Sequence, residues 1–154
     1  GESNVYAKVT GFTATFYHTE PLLFKIRFDA ICHISNPSAW VFPRIMVNDL
    51  LIYNDKLIKN TEDRYTSIPG FTKIHDFDHI GVGQYAFFTS IATAITKSEL
   101  IYLQPGIHVI DVAARAIGNM PVNIYFGVLT IELIQYDNGV NIGELIPINT
   151  TLIG

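Results

Sequence analysis

The stretch from Leu23 to Ile34, which reads LFKIRFDAICHI, alternates apolar and polar side chains with a period of two. The apolar positions are Phe24, Ile26, Phe28, Ala30, Cys32 and Ile34, and Lys25, Arg27, Asp29 and His33 lie between them. A β-strand places successive side chains on opposite faces, whereas a helix would distribute these apolar residues around its axis. The pattern therefore predicts a strand with one face in a core.

Similar alternation recurs along most of the chain and predicts an all-β fold. The further predicted strands are 5–10, 12–18, 40–47, 50–53, 85–96, 106–117 and 122–136. Turn-forming residues such as Asn36-Pro37 and Pro105-Gly106 separate them, and no segment has a capped pattern with a period of 3.6 residues. We therefore predict an antiparallel β-sandwich of the jelly-roll type over residues 1–137.

Two segments depart from this pattern. Residues 56–83 are mostly polar, which predicts a long excursion between strands. Residues 138–154 are apolar but alternate only weakly, so we expect a C-terminal tail that packs on the domain or on a neighbouring subunit.

Composition excludes several functional classes. Of the 154 residues, 49% are hydrophobic and 16% are charged, which is typical of a folded domain rather than of a disordered chain. The net charge is −4 and no basic run occurs, so we expect neither nucleic acid nor an anionic membrane as a partner. The apolar stretches are far shorter than the roughly 20 residues that span a bilayer, so we expect no membrane insertion.

The segment HDFDH, residues 75–79, contains four potential metal ligands. His75, Asp76, Asp78 and His79 would suit zinc or another transition metal. In an extended loop, however, His75 and His79 would lie on one side and the two aspartates on the other. We interpret the segment as a polar loop and keep a metal site as the minority hypothesis.

Catalytic signatures are missing from the sequence. No serine lies in a Gly-x-Ser-x-Gly elbow, and Cys32 falls on the inward face of its predicted strand, whereas His33 points outward. Asp29, Asp111 and Glu132 occupy outward positions, and Asp111 shares its face with Arg115, which favours surface ion pairs. We therefore expect neither enzymatic activity nor a cofactor.

Aromatic residues at predicted strand ends and loops are candidate ligand-binding residues, because such rings stack on sugars or anchor protein interfaces. They are Trp40, Tyr53, Tyr65, Phe71, Tyr85 and Tyr136. The alternative for each is packing at the rim of the sandwich.

Four stretches resemble a known family: VTGFTATF at 9–16, FPRIMVNDLLI at 42–52, LQPGIHVIDVAARAIG at 103–118 and VLTIELIQY at 128–136. Their order is similar to that in tumour-necrosis-factor-like jelly-roll domains, the heads of bacteriophage fibres and of related virion or bacterial surface proteins. Val47-Asn48-Asp49 stands where such domains have Val-Asp-Gly.

The resemblance implies a homotrimer at a virion or extracellular surface that binds glycan or a cell-surface protein through its loops. A physical feature agrees with this implication. Residues 85–95 are apolar on both faces, which predicts that a partner subunit covers the second face. Two alternatives remain: a monomeric carbohydrate-binding module that uses Trp40 and the tyrosines, and a metal-dependent jelly-roll enzyme that uses residues 75–79.

Overall fold

The computed structural model describes residues 4–34, 39–54, 56–79, 85–87, 91–118, 122–134 and 149–152. These residues contain ten strands and two short helical segments. The strands are β1 (Ala7–His18), β2 (Leu22–Ile34), β3 (Ala39–Val47), β4 (Leu50–Tyr53), β5 (Lys56–Lys59), β6 (Tyr85–Phe87), β7 (Ile91–Leu103), β8 (Gly106–Ile117), β9 (Val122–Ile134) and β10 (Asn149–Leu152). A 3-10 helix spans Arg64–Ser67, and an α-helix, α1, spans Ile74–Asp78.

The strands form two sheets that pack face to face. The large sheet has the order β1-β8-β3-β4-β5-β10, with β6 also paired to β3, and the small sheet has the order β7-β2-β9. Every pairing is antiparallel except that of β10 with β5. The prediction of an all-β antiparallel sandwich is confirmed.

The core between the sheets is built from the inward residues of both. It contains Phe24, Ile26, Phe28, Cys32, Ile34, Val41, Ile45, Val47, Leu57, Ile95, Ile101, Leu103, Ile110 and Val112. All six apolar positions of the alternating stretch in β2 are buried, as predicted. β2 contributes the most because it lies at the centre of the small sheet, between β7 and β9.

A second core covers the other face of the large sheet. It consists of Tyr6, Phe42, Met46, Leu51, Ile58, Ile68, Phe77 and Ala113. Ile68 and Phe77 belong to residues 60–79, which we call the outer layer. Because both faces of the large sheet are covered, every residue of β3 except Trp40 is buried.

The structure corrects three predictions. Residues 56–83 are not a continuous loop, because β5, the 3-10 helix and α1 lie within them. The predicted strand 85–96 is two strands in different sheets, since β6 pairs with β3 and β7 pairs with β2. The predicted strands 5–10 and 12–18 are one strand, β1, with an irregularity between Lys8 and Thr13.

The turn between β3 and β4 has Asn48 and Asp49 where the resemblance predicts Asp-Gly. Asn48 and Asp49 both have positive φ, 52° and 66°, as a type I′ hairpin turn requires. Asn and Asp tolerate this conformation better than other non-glycine residues.

In the predicted tail, residues 149–152 form β10, whereas residues 138–148 lie outside the described part of the chain. Neither described helical segment has the length and apolar character needed to cross a membrane.

Candidate functional site

The segment His75–His79 is mainly helical rather than extended, so the geometry expected for its side chains is wrong. Asp76 accepts hydrogen bonds from the backbone N–H groups of Thr72 and Lys73, each at 2.8 Å. These bonds, first the one from Thr72, lower the pKa of Asp76. Asp76 thus closes the first turn of α1, where free N–H groups favour a carboxylate.

Asp78 has a different role, because its carboxylate is completely buried among cations. It accepts hydrogen bonds from Arg64 Nη2 at 2.9 and 3.2 Å and from Arg115 Nη1 at 2.6 Å. The Tyr6 hydroxyl donates a fourth hydrogen bond, at 2.7 Å. Burial raises the pKa of Tyr6 above its usual range, which keeps the phenol protonated as a donor.

A third arginine completes this group. Arg44 donates to the carbonyl oxygens of Pro43 and Asp78. We call Arg44, Arg64, Arg115, Asp78 and Tyr6 the arginine cluster. All five side chains are buried between the large sheet and the outer layer. Paired arginine–carboxylate contacts are a common way to bury charge, so the cluster is structural in character.

The two histidines of the segment have separate surroundings. The His79 ring lies edge-on to Trp40 and to Phe42, with centroid distances of 5.1 Å in both cases. His75 Nδ1 lies 3.4 Å from Arg115 Nη1 and 3.8 Å from the carboxylate of Asp78. Within the described ranges, no three His, Cys, Asp or Glu side chains converge to hold a metal ion. The structure therefore does not bring His75, Asp76, Asp78 and His79 together as a ligand set.

The candidate aromatic residues are also dispersed. Tyr53 of β4 packs against Phe71 of the outer layer, with the ring centroids 6.0 Å apart, and Tyr65 is half-buried in the 3-10 helix. The Tyr85 hydroxyl bonds to the backbone N and O of Thr96, at 2.8 and 3.0 Å, and so links β6 to β7. Trp40 is exposed, by 38%, and stacks on Phe42.

The five described candidates form no single platform, and Tyr136 lies outside the described residues.

The groups considered for catalysis are engaged elsewhere. Cys32 is fully buried, and burial raises the pKa of its thiol to about 11, so it stays protonated at neutral pH. Asp111 and Arg115 were expected on the surface but are buried. Asp111 contacts Thr13 and Lys8, whereas Arg115 contacts Asp78. Asp29 does form the expected surface ion pair, with Arg27.

The outer face of the small sheet contrasts with this covered side. Large apolar side chains are exposed there on β7 and β9: Leu100 by 62%, Phe126 by 82% and Val128 by 58%. Tyr125 lies edge-on to Phe126 with the centroids 5.0 Å apart. Ile31 of β2 and Ala94 of β7 are cross-strand neighbours of this region. We call Ile31, Ala94, Tyr125, Phe126 and Val128 the outer patch.

A β-bulge shapes the outer patch. The register of β9 on β2 shifts between Asp29 and Ile31, and Phe126 has a φ of +54°. A Cβ atom on Gly127 would lie 2.4 Å from the ring of Phe12 and 2.9 Å from that of Phe28. Because core rings fill the space under Gly127, the bulge is fixed from below and Phe126 remains on the outside.

An open concavity of about 360 Å³ lies beside Phe126. Its lining includes Arg27, Asp29, Ile31, Ala94, Thr96 and Phe126. The sequence prediction missed this surface. A usable signal was present, since two adjacent aromatic residues followed by Gly127 break the alternation of β9, which is typical of a bulge.

Neither family models nor curated proteins nor solved structures match this chain.

Proposed function

We propose that this chain is a non-enzymatic β-sandwich head domain with jelly-roll topology, which self-associates as a trimer. It works as a structural or receptor-binding part of a virion fibre or surface appendage. The contrast between the two outer faces carries the proposal. The outer layer covers the large sheet except at its β1–β8 end, where Tyr17 and Ile107 are exposed, whereas the small sheet exposes Leu100, Phe126 and Val128.

The energetic argument is that uncovered apolar surface is costly. Burying it contributes about 25 cal/mol per Å². Contiguous apolar patches of more than a few hundred Å² are rare on monomers and mark interaction sites. Phe126 and Val128 lie on β9 next to Tyr125, so their exposed areas adjoin. A neighbouring subunit is the cover that the proposed trimer supplies.

A binding rather than a catalytic role agrees with the arrangement of charges. The buried acids Asp78 and Asp111 are engaged in ion pairs, and Asp76 caps a helix. The one cysteine is a core residue. None of these groups is offered to a substrate.

Ligand binding is assigned to the loops of the head, where three equivalent sites on one rigid assembly gain avidity from multivalency. Trp40 is the best placed contact, because it is exposed at one end of β3 and His79 supports its ring. The proposed ligand is a glycan or a host surface protein. The location that follows is a virion or an extracellular surface.

Sedimentation velocity of the purified protein over a series of micromolar concentrations tests the assembly. We expect a trimer. A single monomeric species throughout the series would refute the proposed function. Glycan binding by the assembled protein, compared with that of a Trp40→Ala variant, then tests the assignment of the loop site.

The exposed Trp40 also supports a second candidate, a monomeric carbohydrate-binding module. The ring stacks on Phe42 and so is held in a fixed orientation, as a sugar platform requires. A monomer whose sugar binding is lost in Trp40→Ala would favour this candidate over the head domain.

A further inference from the structure

The outer patch carries a projecting ring and a hollow side by side. Phe126 is 82% exposed at the top of the β-bulge, and the concavity of about 360 Å³ is directly beside it. The concavity is open to the outside, so a side chain of a neighbouring molecule can reach it. In a closed cyclic trimer, each subunit can place such a projecting ring in the hollow of the next subunit.

We infer that the concavity is the binding site for Phe126 of a second copy of this chain. Each subunit inserts its Phe126 ring next to Ile31 and Ala94 of its neighbour. This inference rests on the proposed self-association and names the contact that produces it.

The backbone of the bulge supports a role for Phe126. A non-glycine residue in the left-handed region is strained, because its Cβ approaches the following carbonyl oxygen. Such strain persists where the surrounding structure imposes it and is concentrated at functional positions. Here Gly127 is held against Phe12 and Phe28, so the strained residue cannot relax into a regular strand. The result is a large aromatic side chain presented to the outside in a fixed position.

Charge disfavours a strongly basic or acidic partner and is compatible with a second copy of this chain. Arg27 and Asp29 pair at 2.9–3.0 Å on the wall of the concavity. Further along the same face, Lys25 of β2 lies opposite Glu132 of β9. These four residues contribute two positive and two negative charges, so the face is neutral although the chain carries −4. A neutral face with both signs is matched by its own copy, whereas a strongly basic or acidic partner finds no complement there.

The lining also favours an aromatic side chain over a sugar. Ile31, Ala94 and Val128 provide aliphatic surface, and an inserted aromatic ring buries about 150–250 Å². The Arg27 Nε–H bonds to the carboxylate of Asp29, and apolar side chains make up the larger part of the lining.

Two substitutions test the contact from opposite sides. Phe126→Ser removes the ring, and Ala94→Leu fills the hollow without touching the ring's own backbone. Both positions are exposed in the subunit, so the fold is expected to persist, which far-UV circular dichroism checks. Tyr17→Ser is the matched control, because Tyr17 is an aromatic residue of β1 with 68% exposure in the large sheet.

In sedimentation at equal concentrations, we expect Phe126→Ser and Ala94→Leu each to lower the association constant roughly tenfold or more, as for a central interface residue. Tyr17→Ser should assemble like the unmodified protein. Undiminished assembly of both test variants would overturn this inference and leave the proposed function intact, and it would mean that another group occupies the concavity. A monomeric unmodified protein would instead refute the proposed function itself.

Discussion

At the scale of single residues, Asp76 and Asp78 belong to the same short helix but have opposite surroundings. Asp76 is at the surface and accepts two backbone hydrogen bonds, whereas Asp78 is completely buried and forms ion pairs with two arginines. The sequence HDFDH gives both residues the same local chemistry. Only the packing of α1 on the large sheet distinguishes a helix cap from the centre of the arginine cluster.

Replacing Asp78 by Ala is expected to destabilise the protein by about 3–5 kcal/mol, because it leaves Arg64 and Arg115 buried without their carboxylate. Asp76→Ala is the matched control, since it removes the same group from the surface of the same helix and should have a much smaller effect. Urea denaturation of both variants measures the difference. Equal losses of stability in the two variants would contradict a structural role for the arginine cluster. A rise in the stability of the unmodified protein on addition of zinc would support the metal hypothesis.

At the scale of elements, β9 is a long strand whose β-bulge packs against the core. Its bulge places Gly127 over Phe12 and Phe28, whose rings are edge-on at 5.1 Å. Phe12 belongs to β1 of the large sheet and Phe28 to β2 of the small sheet. The bulge therefore fits against a contact between the two sheets.

Gly127→Ala is expected to cost about 1–3 kcal/mol, because its Cβ overlaps the Phe12 ring. Adding Phe12→Leu should recover part of that loss, so the double variant should be more stable than the sum of the single changes predicts. Gly70→Ala is the control. Gly70 has a φ of +87° and open space at its Cβ position, so its cost is backbone strain that Phe12→Leu does not relieve. Strict additivity for Gly127 and Phe12, measured by a double-mutant cycle, would contradict the steric explanation.

The same scale shows what could be predicted from the sequence. β2 and β8 were placed almost to the residue, because twelve or more positions with a period of two give a clear signal. α1 and the 3-10 helix have only five and four residues, too few for any period to be visible. The burial of Asp111 and Arg115 depends on contacts with residues distant in the sequence, and a local sequence pattern does not indicate such contacts.

At the scale of the whole molecule, the protein is asymmetric across its three layers. The outer layer covers the large sheet except near Tyr17 and Ile107, and the small sheet covers its inner face, but among the described residues nothing covers the outer face of the small sheet. The inward ion pair between Lys97 and Glu99 on the edge strand β7 disfavours an added strand at that edge. Association through the face of the small sheet, rather than through this edge, is the arrangement consistent with both features.

If folded copies associate through the outer patch and unfolded chains do not, then mass action links stability to protein concentration. The thermal midpoint of the unmodified protein should therefore rise with concentration, by an amount equivalent to about 2.7 kcal/mol where free partner reaches about 100 times Kd. Phe126→Ser should show a smaller rise over the same concentrations, and its midpoint should match that of the unmodified protein at high dilution, because this side chain is exposed in the isolated subunit. Tyr17→Ser should keep the dependence. A differential scanning calorimetry series in which the unmodified protein shows a constant midpoint would contradict self-association, and a parallel rise in Phe126→Ser would place the contact outside the outer patch.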